Sequence, residues 1–489
     1  MELSSSTYSV LENGGPVVVT VTRSGGSAGT TGISYNTGTG TANSTDFTSA
    51  SGTLTLADGE TSKTISIPIT NDALDEVDEA FTVSLNFLTG SASFGTPTTT
   101  TITIQDDDPT PSATIGDAVQ IETNSGNRTI TFPVTLNAAS GRAVSFNYAT
   151  ADGSASGGTD FLATSGTLQM GAGQTVASIV VNITGDTAVE PDETFSVTLT
   201  NPQNATLTRA TATGTIIGDD NAPDNPIDLQ GFLVYRHYLD FLGRNPDSDG
   251  FNFWKGTITQ CGSDAGCIEV QRIAASASFF LSIEFKETGY LVERIYKSSY
   301  GDATGTSTFQ TTHQLSVPIV RLNEFLTDTT TIGQGVIVLQ PGWEQVLETN
   351  KQSFLNSFVL RTRFLNDYPT GMAAAVYVDK LNGRAGNPLS PAERDQLVSD
   401  LSTNAKTRAQ VLRAIAEHQN LVSAEFNRAF VLMQYFGYLR RNPNDSPDGD
   451  YTGYDFWLTK LNQFNGNYID AEMVKAFLSS IEYRKRFGP

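Results

Sequence analysis

Carboxylates crowd this 489-residue chain at two places, in matching order. The first run is Asn71-Asp72-Ala73-Leu74-Asp75-Glu76-Val77-Asp78-Glu79-Ala80-Phe81, and the second is Gly185-Asp186-Thr187-Ala188-Val189-Glu190-Pro191-Asp192-Glu193-Thr194-Phe195. Each is followed about thirty residues later by another acidic stop, Asp106-Asp107-Asp108 and Asp219-Asp220. Two carboxylates ~5 Å apart at an effective dielectric of ~20 repel by ~3 kcal/mol. A hard divalent cation held by oxygen ligands removes that cost, and Ca²⁺ is the ion such ligands suit. The competing reading is a set of solvated acidic loops that only keep the surface soluble.

The acids need a frame that gathers them. From Leu3 to Ile217 the chain is rich in Thr, Ser, Gly and Val, with short alternating runs such as Val17-Val18-Val19-Thr20-Val21-Thr22 and Lys63-Thr64-Ile65-Ser66-Ile67. Alternation of this kind marks half-buried strands between turns. About seven strands fit each of two copies. Ser44-Thr45-Asp46-Phe47 answers Gly158-Thr159-Asp160-Phe161, and Ser51-Gly52-Thr53-Leu54 answers Ser165-Gly166-Thr167-Leu168. The expectation is two tandem all-β, immunoglobulin-like, seven-stranded sandwiches, residues 1–109 and 110–221. With strand direction alternating, the ends of strands one, three, five and seven share one pole. Glu12, Asp46, Asp72, Glu76, Glu79, Asp106, Asp107 and Asp108 fall there in the first copy. Glu122, Asp160, Asp186, Glu190, Glu193, Asp219 and Asp220 fall there in the second.

Residues 1–221 resemble the Calx-β family, calcium-binding sandwiches of sodium–calcium exchangers and many bacterial surface proteins. The resemblance rests on a Glu after the first strand (Glu12, Glu122) and an Asp-Phe pair (Asp46-Phe47, Asp160-Phe161). It also rests on the acidic segment ending in Phe81 or Phe195 and on the terminal Asp stops. It implies the fold, Ca²⁺ as cofactor and these acids as its ligands. Gly185 and Asn221 stand where the family pattern carries acids, which implies fewer or weaker ions in copy two; Asn71 is the one such departure in copy one.

After Pro226 the texture changes to helix-period apolar spacing, as in Phe232, Tyr235, Tyr238, Leu239 and Leu242. The pattern predicts helices within 283–299, 317–327, 343–366, 372–381, 391–402, 407–418, 423–439 and 469–483. Phrases repeat. Phe241-Leu242-Gly243-Arg244-Asn245-Pro246-Asp247, leading to Gly250 and Trp254, returns as Tyr438-Leu439-Arg440-Arg441-Asn442-Pro443-Asn444, leading to Gly453 and Trp457. Phe280-Leu281-Ser282-Ile283-Glu284-Phe285 is echoed by Phe477-Leu478-Ser479-Ser480-Ile481-Glu482-Tyr483. Residues 222–489 are therefore read as an all-α helical bundle of repeated units, about 228–300 and 350–489. These phrases resemble a bacterial secreted domain of unknown function with phycobilisome-linker-like repeats, which carries no established chemistry.

Charge and composition narrow the class. The net charge is -22, and 23 acids against 5 bases lie within positions 1–220. That balance excludes nucleic acid as a partner. No apolar stretch is long enough to span a bilayer. No leader segment is visible at Met1, as expected of a mature or trimmed chain. Cys261 and Cys267 are read as a small disulfide-closed loop in preference to free thiols, which implies an oxidising compartment. Asp247, Asp249, Asp445, Asp448 and Asp450 read as turn and helix-cap acids rather than a calcium loop, which would need a closing Glu. His237, His313 and His418 are isolated, and no nucleophile elbow, zinc helix or phosphate loop occurs. No catalytic or cofactor-binding residue is assigned. Trp254, Trp343 and Trp457 read as core anchors, with sugar stacking the rival.

The sequence thus points to a non-enzymatic, secreted or cell-surface bacterial protein, with calcium-stiffened sandwiches joined to a helical interaction module. The expected partners are other copies of itself, or cell-surface or matrix proteins or glycans. The rivals are a self-assembling filament or surface-layer subunit and a glycan-binding or glycan-active module.

Overall fold

The computed structural model describes residues 1–221 and 224–488. Ala222 and Pro223, which follow the second sandwich in sequence, and Pro489 lie outside them.

The first sandwich has eight strands: β1 (Glu2–Leu3), β2 (Thr7–Leu11), β3 (Val17–Thr22), β4 (Thr31–Gly38), β5 (Ser51–Leu56), β6 (Ser62–Ile67), β7 (Glu79–Thr89) and β8 (Thr99–Gln105). They form sheets ordered β1-β3-β6 and β2-β8-β7-β4-β5. Alternation decides what faces inward: Val17, Val19 and Val21 of β3 are buried, as are Ile65 and Ile67 of β6. Each such side chain withdrawn from water is worth ~2 kcal/mol. The expected seven strands become eight because the first strand splits. Its opening residues pair antiparallel with β3 and its continuation pairs parallel with β8 in the other sheet.

The second sandwich repeats the device and ends with nine strands: β9 (Ser112–Ile115), β10 (Ala118–Ile121), β11 (Gly126–Leu136), β12 (Val144–Asp152), β13 (Ser165–Met170), β14 (Val176–Gly185), β15 (Glu193–Gln203), β16 (Thr206–Arg209) and β17 (Thr211–Ile217). Its sheets run β10-β17-β15-β12-β13 and β14-β11-β9-β16. Compactness divides the chain differently from sequence. Residues Met1–Ala118, Thr129–Ile183 and Thr194–Gly214 form one unit. Val119–Arg128, Thr184–Glu193 and Thr215–Pro489 form the other. The segments carrying the second acidic tip therefore group with the helical region.

Fourteen α-helices lie among the described residues, all after residue 229. The first four are α1 (Gln230–His237), α2 (Ser248–Thr259), α3 (Ala265–Leu281) and α4 (Ile283–Tyr300). Their core is aromatic, with Tyr235, Phe251, Phe280 and Phe285 buried. Trp254, Trp343 and Trp457 pack against it partly buried, as anchors rather than free stacking platforms. The all-α expectation needs correcting at one place. Asp302–Ser307 and His313–Pro318 form a β-hairpin, so the helix expected over 317–327 begins only at Leu322. The expected helix 343–366 is two, Trp343–Phe358 and Thr362–Asp367, and 469–483 is likewise Met473–Leu478 and Ile481–Arg484.

The repeated phrases meet in space. Arg244 makes a two-pronged pair with Glu284 (2.8 and 2.9 Å), and Arg441 does the same with Glu482 (2.5 and 3.1 Å). Each guanidinium also lies over a tyrosine, Tyr238 at 5.0 Å or Tyr435 at 5.4 Å. Gly250 and Gly453 admit those tyrosines closely. A Cβ on either would stand 2.1 or 2.5 Å from the Tyr hydroxyl. The two phrases of each repeat are thus two sides of one ion-paired corner.

Candidate metal centres

At the first tip the loops deliver carboxylates in two groups. Oxygen atoms of Glu12, Asp72 and Asp108 lie within 4.8 Å of one another, and so do those of Asp46, Glu76 and Glu79. The backbone fixes each position. Glu12 follows β2 and accepts the Asp72 N–H at 2.6 Å. Asp72 accepts Leu74 N–H at 2.8 Å, which folds its loop back. Asp46 accepts Asn43 N–H at 2.6 Å, while its neighbour Phe47 stacks on Phe81 in the core with ring centroids 3.9 Å apart. The Asp-Phe pair therefore points one side chain at the tip and anchors the other below it.

Asp106 joins the groups. With Glu12, Asp46, Glu76 and Glu79 it lines a cleft of about 10 Å³, the space of one small ion or water. Asp107 turns elsewhere, accepting from the backbone and side-chain amides of Asn13, and joins neither group.

The electrostatics are those of a site short of positive charge. Burial, then its carboxylate neighbours, raises Glu12. Burial followed by Asp72, Asp46, Asp106 and Asp108 raises Glu76, which feels both groups. Glu79 is pushed up to about 7, first by burial, then by its hydrogen bond to Asp46 and the charges of Asp46 and Glu76. Burial opposes ionisation of Asp46, but hydrogen bonds from Thr45, Asn43 and Glu79 outweigh it and hold its carboxyl low. Glu79 therefore keeps the proton of this pair.

The second tip places Glu122, Asp219 and Asp220 together, again within 4.8 Å. Glu122 is pushed up to about 8, first by burial, then by Asp219, Asp186, Glu190 and Asp220. Asp186 folds its loop as Asp72 does, accepting Ala188 N–H at 2.6 Å. Asp220 accepts Asn124 at 2.6 Å. Glu190 and Glu193 follow Asp186 up to the start of β15, and Asp160 accepts Ser156 N–H at 2.7 Å. Both departures from the acidic pattern have causes. A Cβ at Gly185 would stand 1.9 Å from the Thr123 carbonyl oxygen, so no acid fits there. Asn221 donates to the Asn225 carbonyl at 3.3 Å. This tip also has a cation close enough to act on Asp219, the guanidinium of Arg128.

Asp75, inside the first acidic run, has another task. It is buried, bonded three times by the Arg142 side chain (2.6, 2.7 and 3.0 Å) and by Thr110 and Ser140. This pairing is not legible from local spacing, because Arg142 lies 67 residues away. Cys261 and Cys267 form the disulfide, with Cα atoms 5.6 Å apart. Asp247 caps α2 through Gly250 N–H at 2.8 Å, as its turn reading required. His237 is buried between the Leu233 carbonyl and Ser276, and burial pushes it down to about 3.

The donor sets fit a hard divalent cation. Oxygens of Asp106, Asp108, Asp219 and Asp220 are buried without a hydrogen-bond donor. Leaving such a group unmet costs about 1–3 kcal/mol or more, and a hard cation is the chemistry that would meet several such oxygens at once.

The profile of the Calx-beta domain matches residues 1–108 and 117–221. Sodium/calcium exchanger 1 of Rattus norvegicus is 32% identical over 217 residues, covering 40% of this chain and 22% of that protein. Sodium/calcium exchanger 3 of Homo sapiens is 31% identical over 220 residues, covering 40% and 24%. The chain thus spans about a quarter or less of these relatives. Among solved structures, the CBD12 segment of CALX1.2 is 22% identical and covers 44% of this chain and 99% of that one, with a TM-score of 0.23. The calcium binding domain CBD12 of CALX1.1 gives 22%, 44%, 98% and 0.23. By that profile, residues 1–108 and 117–221 are two Calx-beta domains in tandem.

Proposed function

We propose that this chain binds Ca²⁺ at both sandwich tips and serves as a secreted or cell-surface structural or adhesion protein, with the ions stiffening the modules that carry its helical region. The observation behind this reading is the pair of carboxylate groups at the first tip, with buried oxygens lacking donors and one cleft shared between them. Glu12, Asp72 and Asp108 would hold one ion, Asp46, Glu76 and Glu79 a second, and Glu122, Asp219 and Asp220 another. The bound ion supplies positive charge where the protein has only negative. Each residue's part is to place an oxygen, and for Glu79 and Glu122 to give up a proton as the ion arrives.

Titration calorimetry on the calcium-stripped full chain tests this. Saturable binding is expected, and Glu76→Gln with Asp108→Asn should abolish the sites of the first sandwich while leaving those of the second. Heat no different from dilution would overturn it. An exterior location is supported by the disulfide, which suits an oxidising compartment. Among the described residues no helix is long and apolar enough to cross a membrane.

A second reading, self-assembly, is favoured by one observation. The edge strand β5, Ser-Gly-Thr-Leu-Thr-Leu, carries no charge to block strand addition. Sedimentation showing only monomer at high protein concentration in calcium buffer would eliminate it.

A further inference from the structure

A cavity of about 800 Å³ opens on the first ion-paired corner of the helical region. Its walls are mostly apolar, including Tyr238, Phe253, Trp254, Phe279, Ile283 and Leu339. Burial of such surface by a ligand is the main source of affinity in pockets of this size.

The second repeat shows how the same ground is treated when closed. Phe456, the counterpart of Phe253, meets Phe309 from the hairpin loop with centroids 5.5 Å apart. Thr452, the counterpart of Asp249, bonds Thr308 through its hydroxyl and to the Thr308 N–H at 2.8 Å. In the first repeat Phe253 is 60% exposed, against 38% for Phe456, and Asp249 is exposed too. Lining the same cavity is the 337–341 segment. Its Leu339 is 89% exposed and held at φ 76°, a left-handed conformation costly for a leucine. An apolar side chain kept strained and in water at a cavity mouth gains contact when a ligand arrives.

The charge at the mouth selects the ligand. Three carboxylates, Asp247, Asp249 and Glu284, line the cavity with one guanidinium, Arg244. Arg244 is already engaged by Glu284 at 2.8 Å and Asp247 at 3.3 Å, which leaves the balance negative at Asp249. An anionic head would meet repulsion there, and a cationic head attraction. We propose that this cavity binds a small apolar molecule carrying one positively charged head. The inference is independent of the calcium reading.

The test uses dodecyltrimethylammonium below its micelle concentration, with dodecanoate as the chain-matched anion, on the full chain in chelator. Tryptophan fluorescence is expected to saturate with dodecyltrimethylammonium, and dodecanoate to bind roughly tenfold more weakly or worse. Asp249→Asn should remove most of that preference. Ser278→Phe, placed to fill the cavity, should weaken binding roughly tenfold with an unchanged melting curve. Should that variant fold poorly, Leu339→Ser on the exposed loop is expected to weaken binding without touching the core. Non-saturable signal, equal affinity for both heads, or full binding by the Leu339 and Ser278 variants would each overturn the proposal.

Discussion

Glu79 and Asp46 form one pair with unequal halves, Glu79 pushed up to about 7 and Asp46 held low by its donors. The sign of the pH effect follows. A carboxyl raised in the folded state keeps a proton that the unfolded chain releases at its ordinary value, so its contribution is full at acid pH. It fades as pH rises through the folded value. Without calcium, the melting temperature of the sandwiches should fall between pH 5 and pH 8. With calcium present the fall should vanish, because the ion replaces the lost protons. Differential scanning calorimetry in chelator and in calcium checks both limbs, and a calcium-free melting temperature that rises over that range would contradict them. The same logic applies in the helical core, where burial raises Glu293. Glu293→Gln should hold its stability at pH 9 better than the parent, as measured by urea unfolding.

Elements were legible to different degrees, for physical reasons. Strands such as β3 and β6 were plain because one face is buried and the other wet. The tip acids were legible because alternating strand direction is a topological constraint that needs no side-chain detail. The split of each first strand was not, since a strand crossing between sheets keeps its alternation. The 302–318 hairpin was hidden because Asp302–Ser307 carries small polar residues with little period of its own. It is held instead by distant partners, Thr306 O accepting Tyr451 N–H at 2.9 Å and Ser307 bonding Asp455 at 2.6 Å. Asp107 was expected at the metal but bonds Asn13, a choice of rotamer that spacing does not fix. The ion-paired corners lead to an element-scale prediction. Arg244→Ala leaves Glu284, buried at 4% exposure, without its partner and should cost about 3 kcal/mol in chemical denaturation. Arg244→Lys should recover only part, since one ammonium cannot match the fork.

Across the whole molecule, the acidic loop of the first sandwich does two jobs. One side offers Glu76 and Glu79 to the tip, and the other sends Asp75 into the Arg142 and Ser140 clasp on the second sandwich. The candidate ion site and the Asp75 clasp thus share the nine-residue segment from Asn71 to Glu79. Arg142→Ala should destabilise the chain by about 3 kcal/mol through the buried Asp75 charge, and should weaken the stabilisation that calcium brings. A double-mutant cycle of Arg142→Ala with Glu76→Gln, read by melting in calcium, measures that coupling; strictly additive losses would show that joint and tip are independent. At the second joint the tip meets the helical region through Lys255 on Asp192 and through the packing of Ile121 and Ile217 into the helical core. The second tip is therefore supported by contacts from the helical region. Crystals of the full chain grown with millimolar calcium, measured for anomalous scattering, test the central claim most directly. Peaks among Glu12, Asp72 and Asp108 and among Asp46, Glu76 and Glu79 are predicted; a featureless anomalous map at both groups would contradict the account.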